Sequence, residues 1–229
     1  MRLLAFDTSG PAISAAAFEG GLLLAHRFEP LPRGHAERLL PMLSGLLAQA
    51  GWAWRELDLL AVTVGPGSFT GLRAGIAVAR ALALGLDCAA MGIGTLQLLA
   101  ETVAASRHGN RLPIQVLMDA RRDELYAQRF SADLEPLGPP EVLARAAVAG
   151  CLAPPCLTVV DGPFLARDLT SEGLDMVEAA PDARYLAPAV VRRLQRGCRA
   201  EAGVELRPVY LRPPDARLSA GASMVTSGR

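Results

Sequence analysis

Val64-Gly65-Pro66-Gly67-Ser68-Phe69-Thr70-Gly71-Leu72-Arg73 is the stretch on which the fold turns. Residues 59–64 before the turn are apolar without interruption and read as a buried strand. Gly65 and Gly67 admit backbone angles that other residues resist. Ser68 or Thr70 can cap the helix that starts there. A strand, a tight glycine turn and a helix N-terminus together make a shape that holds anions. A nucleotide-hydrolysing loop of this kind ends Gly-Lys-Ser/Thr. This chain has no lysine, and all 23 of its basic residues are arginine. The turn is shaped for phosphate without the usual cation.

Working outward, residues 3–7, 12–18 and 22–28 read as strands separated by Gly10-Pro11 and Gly20-Gly21. Ala36, Leu39, Leu40, Leu43, Leu46, Leu47 and Ala50 mark one helix, closed by Gly51. Pro41 is expected to start or kink its regular part. A second helix over 69–86, a strand over 89–93 and a helix over 95–105 complete one series. His108-Gly109-Asn110 reads as a break. Strands at 114–119 and 125–130, a helix at 141–149, a strand at 157–161 and a helix at 188–196 follow. The second series loosely echoes the first. The expectation is two halves, residues 1–107 and 108–212, with a mobile tail over 213–229. Such halves suggest an α/β fold of duplicated ribonuclease-H-like, actin-like ATPase (ASKHA) architecture, although periodicity alone does not separate it from other α/β folds.

Bulk composition narrows the function. With 51% hydrophobic residues among 229 the chain can build a substantial core, and its formal net charge is zero. No global field attracts nucleic acid or an anionic membrane, so a direct, tight RNA binder is not expected. Cys88, Cys151, Cys156 and Cys198 lack metal-ligand or paired spacing and read as free thiols. Asp7 interrupts the apolar N-terminus, which argues against a signal peptide. The apolar run 74–86 contains Arg80 and is short for a bilayer. A cytoplasmic protein with no membrane contact is the expectation.

Asp7-Thr8-Ser9-Gly10 sits where the first strand turns into the second. Sugar kinases and actin-like ATPases carry Asp-x-Gly-Thr/Ser there, around phosphate or its metal. Thr8 stands in place of the glycine, so the turn reads as an Asx or Ser/Thr turn or as a vestigial, weak nucleotide site formed with Gly65 and Gly67. His26, His35 and His108 have no ligand spacing, and no metal site is expected. Ser68 is not in a nucleophile elbow. Asp119, Asp123 and Glu124 could serve acid–base chemistry, but a solvated hairpin with local Asp–Arg pairing explains them more economically. The second helix carries Gly71, Ala74, Gly75, Ala77, Ala81 and Gly85, with Leu72, Ile76, Ala79, Leu82 and Ala83 spread round it. A helix apolar nearly all round has two partners, and Arg73 and Arg80 then read as the rim of a protein interface.

Ala5-Phe6-Asp7-Thr8-Ser9, His35-Ala36-Glu37-Arg38-Leu39-Leu40-Pro41, the 65–73 glycine motif, Asp119-Ala120-Arg121 with Glu124 and Tyr126, and Tyr210-Leu211-Arg212 occur in this order. Together they closely resemble the TsaB (YeaZ) family, over residues 3–212. The resemblance implies a bacterial subunit of the machinery that makes threonylcarbamoyladenosine in tRNA. It implies a non-catalytic scaffold that activates the related subunit TsaD, pairs with it through the first two helices, and dimerises with itself when alone. It further implies a small ATPase, TsaE, in the complex, and tRNA contact only through the complex. TsaD carries a metal-binding His-x-x-x-His where residues 92–100 of this chain have no histidine. Interface residues expected on this basis are Leu39, Leu43, Leu46 and Leu47 from the first helix and Arg73, Ile76, Ala77, Arg80 and Leu84 from the second. Ile76→Asp is then expected to abolish association and leave the monomer folded. No tightly bound cofactor is expected, and ATP or ADP at the partner interface is the nucleotide site to test. The alternative is an ATP-dependent kinase using Asp7, the 65–67 turn and Asp161-Gly162. A peptidase ranks last, because neither zinc ligands nor a catalytic triad is legible.

Overall fold

Residue parity along the first strand decides which helices cover the first sheet. In the computed structural model, which describes residues 1–105, 112–151, 155–162, 176–200 and 202–212, β1 (Arg2–Asp7) is central and buried on both faces. Leu4 and Phe6 point to one side, and Leu3 and Ala5 to the other. Strands covered on both faces read as continuous apolar runs, which is why β1 and β4 (Leu59–Gly65) were legible. β2 (Ala12–Glu19) and β3 (Leu22–Pro30) extend the sheet antiparallel from β1. On the other side β4 and β5 (Ala89–Gly94) run parallel to it, giving the order β3-β2-β1-β4-β5.

The second sheet repeats this pattern. β6 (Ile114–Asp119) pairs antiparallel with β7 (Glu124–Phe130), and β7 with β8 (Glu141–Ala144). β9 (Leu157–Asp161) and β10 (Met176–Ala179) lie parallel on the other side, so the order is β8-β7-β6-β9-β10. Order and direction match the first sheet strand for strand. The duplication expected from the loose echo of the two halves is present in topology. The expected division at 107/108, His108 and the 213–229 tail lie outside the described residues.

Two helices cover the Leu4/Phe6 side of the first sheet. α1 (His35–Ala50) contributes Leu39, Met42, Leu43, Leu46 and Leu47, and α2 (Phe69–Leu86) contributes Ile76, Ala79 and Ala83. Pro41 does not start α1, which begins at His35 and continues through it. Both Pro41 and Glu37, whose carbonyl loses its N–H partner, face solvent, where water supplies the missing bond. α3 (Thr95–Ala104) lies between the sheets, with Leu98 on the first and Leu96, Leu99, Ala100 and Val103 on the second. A short α4 (Val148–Cys151) precedes β9.

The helix α5 (Leu186–Gln195) crosses back to the first sheet. Its Leu186, Ala187, Ala189 and Val190 cover the Leu3/Ala5 side. The buried Glu101 of α3 accepts from Arg192 Nε at 3.1 Å and Nη2 at 2.9 Å, which ties α3 to α5. Asp182 does the same for β3, its Oδ1 lying 2.9 Å from His26 Nε2 and its Oδ2 accepting both arms of Arg184.

Two assignments need correction. The helix expected at 141–149 is instead β8, one 3-10 turn (Arg145–Ala147) and the start of α4. The Ala-rich run favours a helix intrinsically, but the open edge of β7 captures residues 141–144 as a strand, Tyr126 opposite Val142. α2 has 18 residues and is long and apolar enough to cross a membrane by length and composition, although 74–86 alone had looked too short. One side of it is packed on the sheet, through Gly71, Leu72, Gly75, Ile76, Ala79 and Ala83.

Candidate functional site

The C-terminal ends of β1, β4 and β5 meet those of β6 and β9 where nucleotide sites form in open α/β sheets. Asp7 ends β1 and is fully buried. Its Oδ1 accepts from Ser9 Oγ and Thr63 Oγ1, each at 2.6 Å, and from the Ser9 amide at 3.2 Å. Burial raises its pKa, and these hydrogen bonds only partly offset that. Asp161, at the end of β9, is pushed up to about 6, first by burial and then by the charges of Asp7 and Asp119. The charges of Asp7 and Asp119 thus reach Asp161 from both halves, and both are negative.

The glycine turn beside them is filled by the chain itself. Gly67 has a φ of +157, and a Cβ there would come within 2.5 Å of the Ser9 carbonyl. At Gly65 (φ +113, before the cis Pro66) a Cβ would lie 2.7 Å from the Val209 carbonyl. The Ser68 amide donates to Ser9 O at 2.7 Å, and the Gly71 amide to Ser68 Oγ at 3.3 Å. Thr8 Oγ1 donates to Gly71 O at 2.8 Å, and it occupies the space that a Cβ on Gly75 would need. These glycines let the β1–β2 turn press against α2. An actin-like fold implies a nucleotide here. The residues do not fit a polyphosphate, because backbone and Thr8 fill the turn and the neighbouring charge is negative. Asp7, Thr8, Gly65 and Gly67 are therefore brought together as the sequence suggested, but as a packed joint. Among the described residues no three His, Cys, Asp or Glu side chains are grouped to hold a metal ion.

The nine residues expected at an interface divide by burial. Leu39, Leu43, Leu46, Leu47 and Ile76 belong to the chain's own core, Ile76 only 4% exposed. They present no surface to a partner, and this corrects the assignment. α1 and α2 spend their strongest apolar stripes on the first sheet. The same correction reverses the expected outcome for Ile76→Asp, which would bury a charge and unfold the monomer. Arg73, Ala77, Arg80 and Leu84 are exposed at i, i+4, i+7 and i+11, one stripe along α2, with Leu84 75% exposed. Ala81 and Gly85 flank it. On α1 the exposed side holds Leu40, Pro41, Ser44, Gly45 and Ala48. Neither Arg73 nor Arg80 has an ion-pair partner among the described residues.

A strap formed by residues 206–212 was missed in the sequence. Leu206 is buried in the core on the Leu4/Phe6 side of the first sheet, against Gly92 of β5, after a turn that packs Gly203 on α2. The Val209 amide donates to Val64 O at 2.7 Å. Arg212 then reaches the other half: Nη1 donates to Ala120 O at 2.8 Å, Nη2 to Arg121 O at 3.2 Å, and the guanidinium pairs with Glu124. The turn it holds has three consecutive left-handed residues, Arg121 (φ 62), Arg122 (φ 56) and Asp123 (φ 57). Non-glycine residues adopt this conformation at a cost of about 1–2 kcal/mol each. Arg212 is one of the contacts that hold it, and the Arg145 amide, donating to Asp123 O at 2.8 Å, is another. Between its anchors the strap exposes Tyr210 (44%), whose ring lies 5.3 Å from that of the exposed Phe69 (46%). Arg73 sits 5.0 Å over the Phe69 ring. Only the Tyr-Leu-Arg run signalled this in sequence.

Comparison with known proteins was consistent with this geometry. Residues 29–153 match the family model TsaD, tRNA N6-adenosine threonylcarbamoyltransferase. The chain is 39% identical over 133 residues to the tRNA threonylcarbamoyladenosine biosynthesis protein TsaB of Escherichia coli, covering 58% of this chain and 56% of that protein. It therefore spans about half the length of that curated relative. An uncharacterized protein of Mycobacterium bovis is 34% identical over 218 residues, 94% of this chain and 93% of its own length. Among solved structures, YeaZ from Pseudomonas aeruginosa superposes with a TM-score of 0.77 at 27% identity, covering 92% of this chain and 99% of that one. The inorganic polyphosphate/ATP-glucomannokinase of an Arthrobacter strain shares the fold, with a TM-score of 0.53 at 14% identity over 85% of this chain and 99% of its own.

Proposed function

Because the chain belongs to the TsaB (YeaZ) branch of the TsaD-type family, with a role in tRNA threonylcarbamoyladenosine biosynthesis, we propose that it is the non-catalytic scaffold and activating subunit of that machinery. It pairs with a TsaD homologue through the outward sides of α1 and α2. TsaE-type ATPase and tRNA join through the assembled complex, and the free chain pairs with itself. Any ATP or ADP is held at the partner interface.

The observation that carries this reading is the outward side of α2. A helix that has already committed its Leu72, Ile76, Ala79 and Ala83 to the core still exposes Phe69, Ala77, Ala81 and Leu84. Small residues there let a second helix approach to backbone contact, and association by apolar burial follows. Binding energy gained at this face would favour the arrangement of TsaD that acts, provided the scaffold binds that arrangement more tightly than others. The filled glycine turn supports assigning the transfer chemistry to the partner.

The test is to mix the chain with the TsaD homologue of the same organism, with and without ATP. Complex formation is followed by calorimetry and size exclusion, and product by tRNA threonylcarbamoylation. A stable complex that restores modification is expected. ATP hydrolysis by this chain alone, with no complex, would overturn the reading in favour of a kinase.

A further inference from the structure

The interface just proposed carries charge that the chain leaves unbalanced. From Phe69 to Leu86 α2 contains two charged residues, Arg73 and Arg80, and no carboxylate. Both are exposed and lack an ion-pair partner among the described residues, whereas Arg2, Arg38, Arg184, Arg192, Arg196 and Arg212 are all paired. Arg73 is held over the Phe69 ring, which orients its guanidinium beside two exposed aromatic rings. A fixed arginine among exposed aromatics is the composition of an interface hot spot, and its charge calls for a carboxylate opposite.

We propose that Arg73, set by Phe69 and Tyr210, acts with Arg80 to select an acidic face on a different protein chain over a second copy of this one. The proposal rests on the interface reading above and adds what the partner must carry. Two-fold self-pairing through these helices brings Arg73 and Arg80 from each copy to one surface. The single carboxylate of α1 is Glu37, with Arg38 beside it. Self-pairing through α2 therefore gathers four guanidiniums, Arg73 and Arg80 of each copy, on one surface, and like charges across an interface disfavour that partner. An acidic face on another chain satisfies both arginines. Tyr210 makes the anchor composite, because it arrives on the strap that also clamps the second half through Arg212.

The experiment compares the wild type, Arg73→Glu/Arg80→Glu, Leu84→Asp and Tyr210→Ala. For each, affinity for the TsaD homologue is measured by calorimetry at about 50 and 300 mM salt, and self-association by sedimentation. All four positions are exposed, so unchanged melting temperatures are the fold control. The charge reversal should weaken the heteromeric complex at least tenfold at low salt and leave self-association equal or stronger. Wild-type hetero-affinity should fall with salt, and Tyr210→Ala should weaken it several-fold. Heteromer affinity within twofold of wild type for the charge reversal, together with salt-independent wild-type binding, overturns the proposal. Leu84→Asp separates the two claims. If it breaks the complex while the charge reversal does not, the interface stands and charge selection fails. If it leaves the complex intact, the interface reading itself fails.

Discussion

Replacing Asp161 by Asn should stabilise the protein above pH 6 and leave it nearly unchanged near pH 4. The carboxyl titrates at about 6 in the folded chain against 3.8 for the ordinary group. A raised carboxylate pKa means that the folded state holds the proton more tightly than the unfolded one. The group therefore costs nothing below about pH 4, costs progressively more as pH rises to about 6, and imposes a constant penalty above. A gap of about two units is worth about 3 kcal/mol. Asp161 is only partly buried, and water reaching it screens the charges of Asp7 and Asp119, so about 2 kcal/mol is the expected gain. For a chain of this size that raises the melting temperature by about 4–8 °C. Paired thermal melts of both proteins at pH 8 and pH 4, at fixed ionic strength, read the effect directly. An equal difference at both pH values would trace it to packing and refute the electrostatic argument. No difference at pH 8 would show that burial and the charges of Asp7 and Asp119 do not destabilise the carboxylate.

Two further outcomes follow from the packing. Gly75→Ala places a Cβ 2.3 Å from Thr8 Oγ1 and should cost about 1–3 kcal/mol; adding Thr8→Ala should recover part of the loss, a coupling measurable by urea denaturation of the four proteins of the cycle. Arg192→Met leaves the buried Glu101 without its partner and should cost about 3–5 kcal/mol at pH 8. Burial already holds the Glu101 pKa above the ordinary glutamate value, so the loss should shrink as the pH is lowered and the carboxyl protonates.

Much of the fold was legible because its central strands are buried on both faces and its turns carry glycine or proline. The 59–94 strand–helix–strand unit was placed within one residue at each end. The edge strands of the second sheet were less visible. β8 forms from an Ala-rich segment that a lone helix would claim, and β10 is four residues long with a Glu within it. Both gain their conformation from a neighbour, which local sequence does not contain. The interface helices failed differently. α2 is apolar nearly all round, so no polar stripe marked the outward side. Choosing Ile76 beside Ala77 was an error of one residue that exchanged core for surface. The charges that bear on Asp161 come from positions 7 and 119, and only the apposition of two sheets brings them within reach.

The return of α5 to the first sheet also sets an order of events during synthesis. Leu3, Ala5, Ala16 and Phe18 lie beneath α5, which is made after the described strands of both sheets. When α3 leaves the ribosome, that side of the first sheet has only Leu98 of α3 over it, and the roughly 90 residues still to come take about 5–20 s at ordinary elongation rates. The nascent first half therefore passes through a half-covered stage, with an apolar sheet face open to chaperones, before α5 arrives to close it.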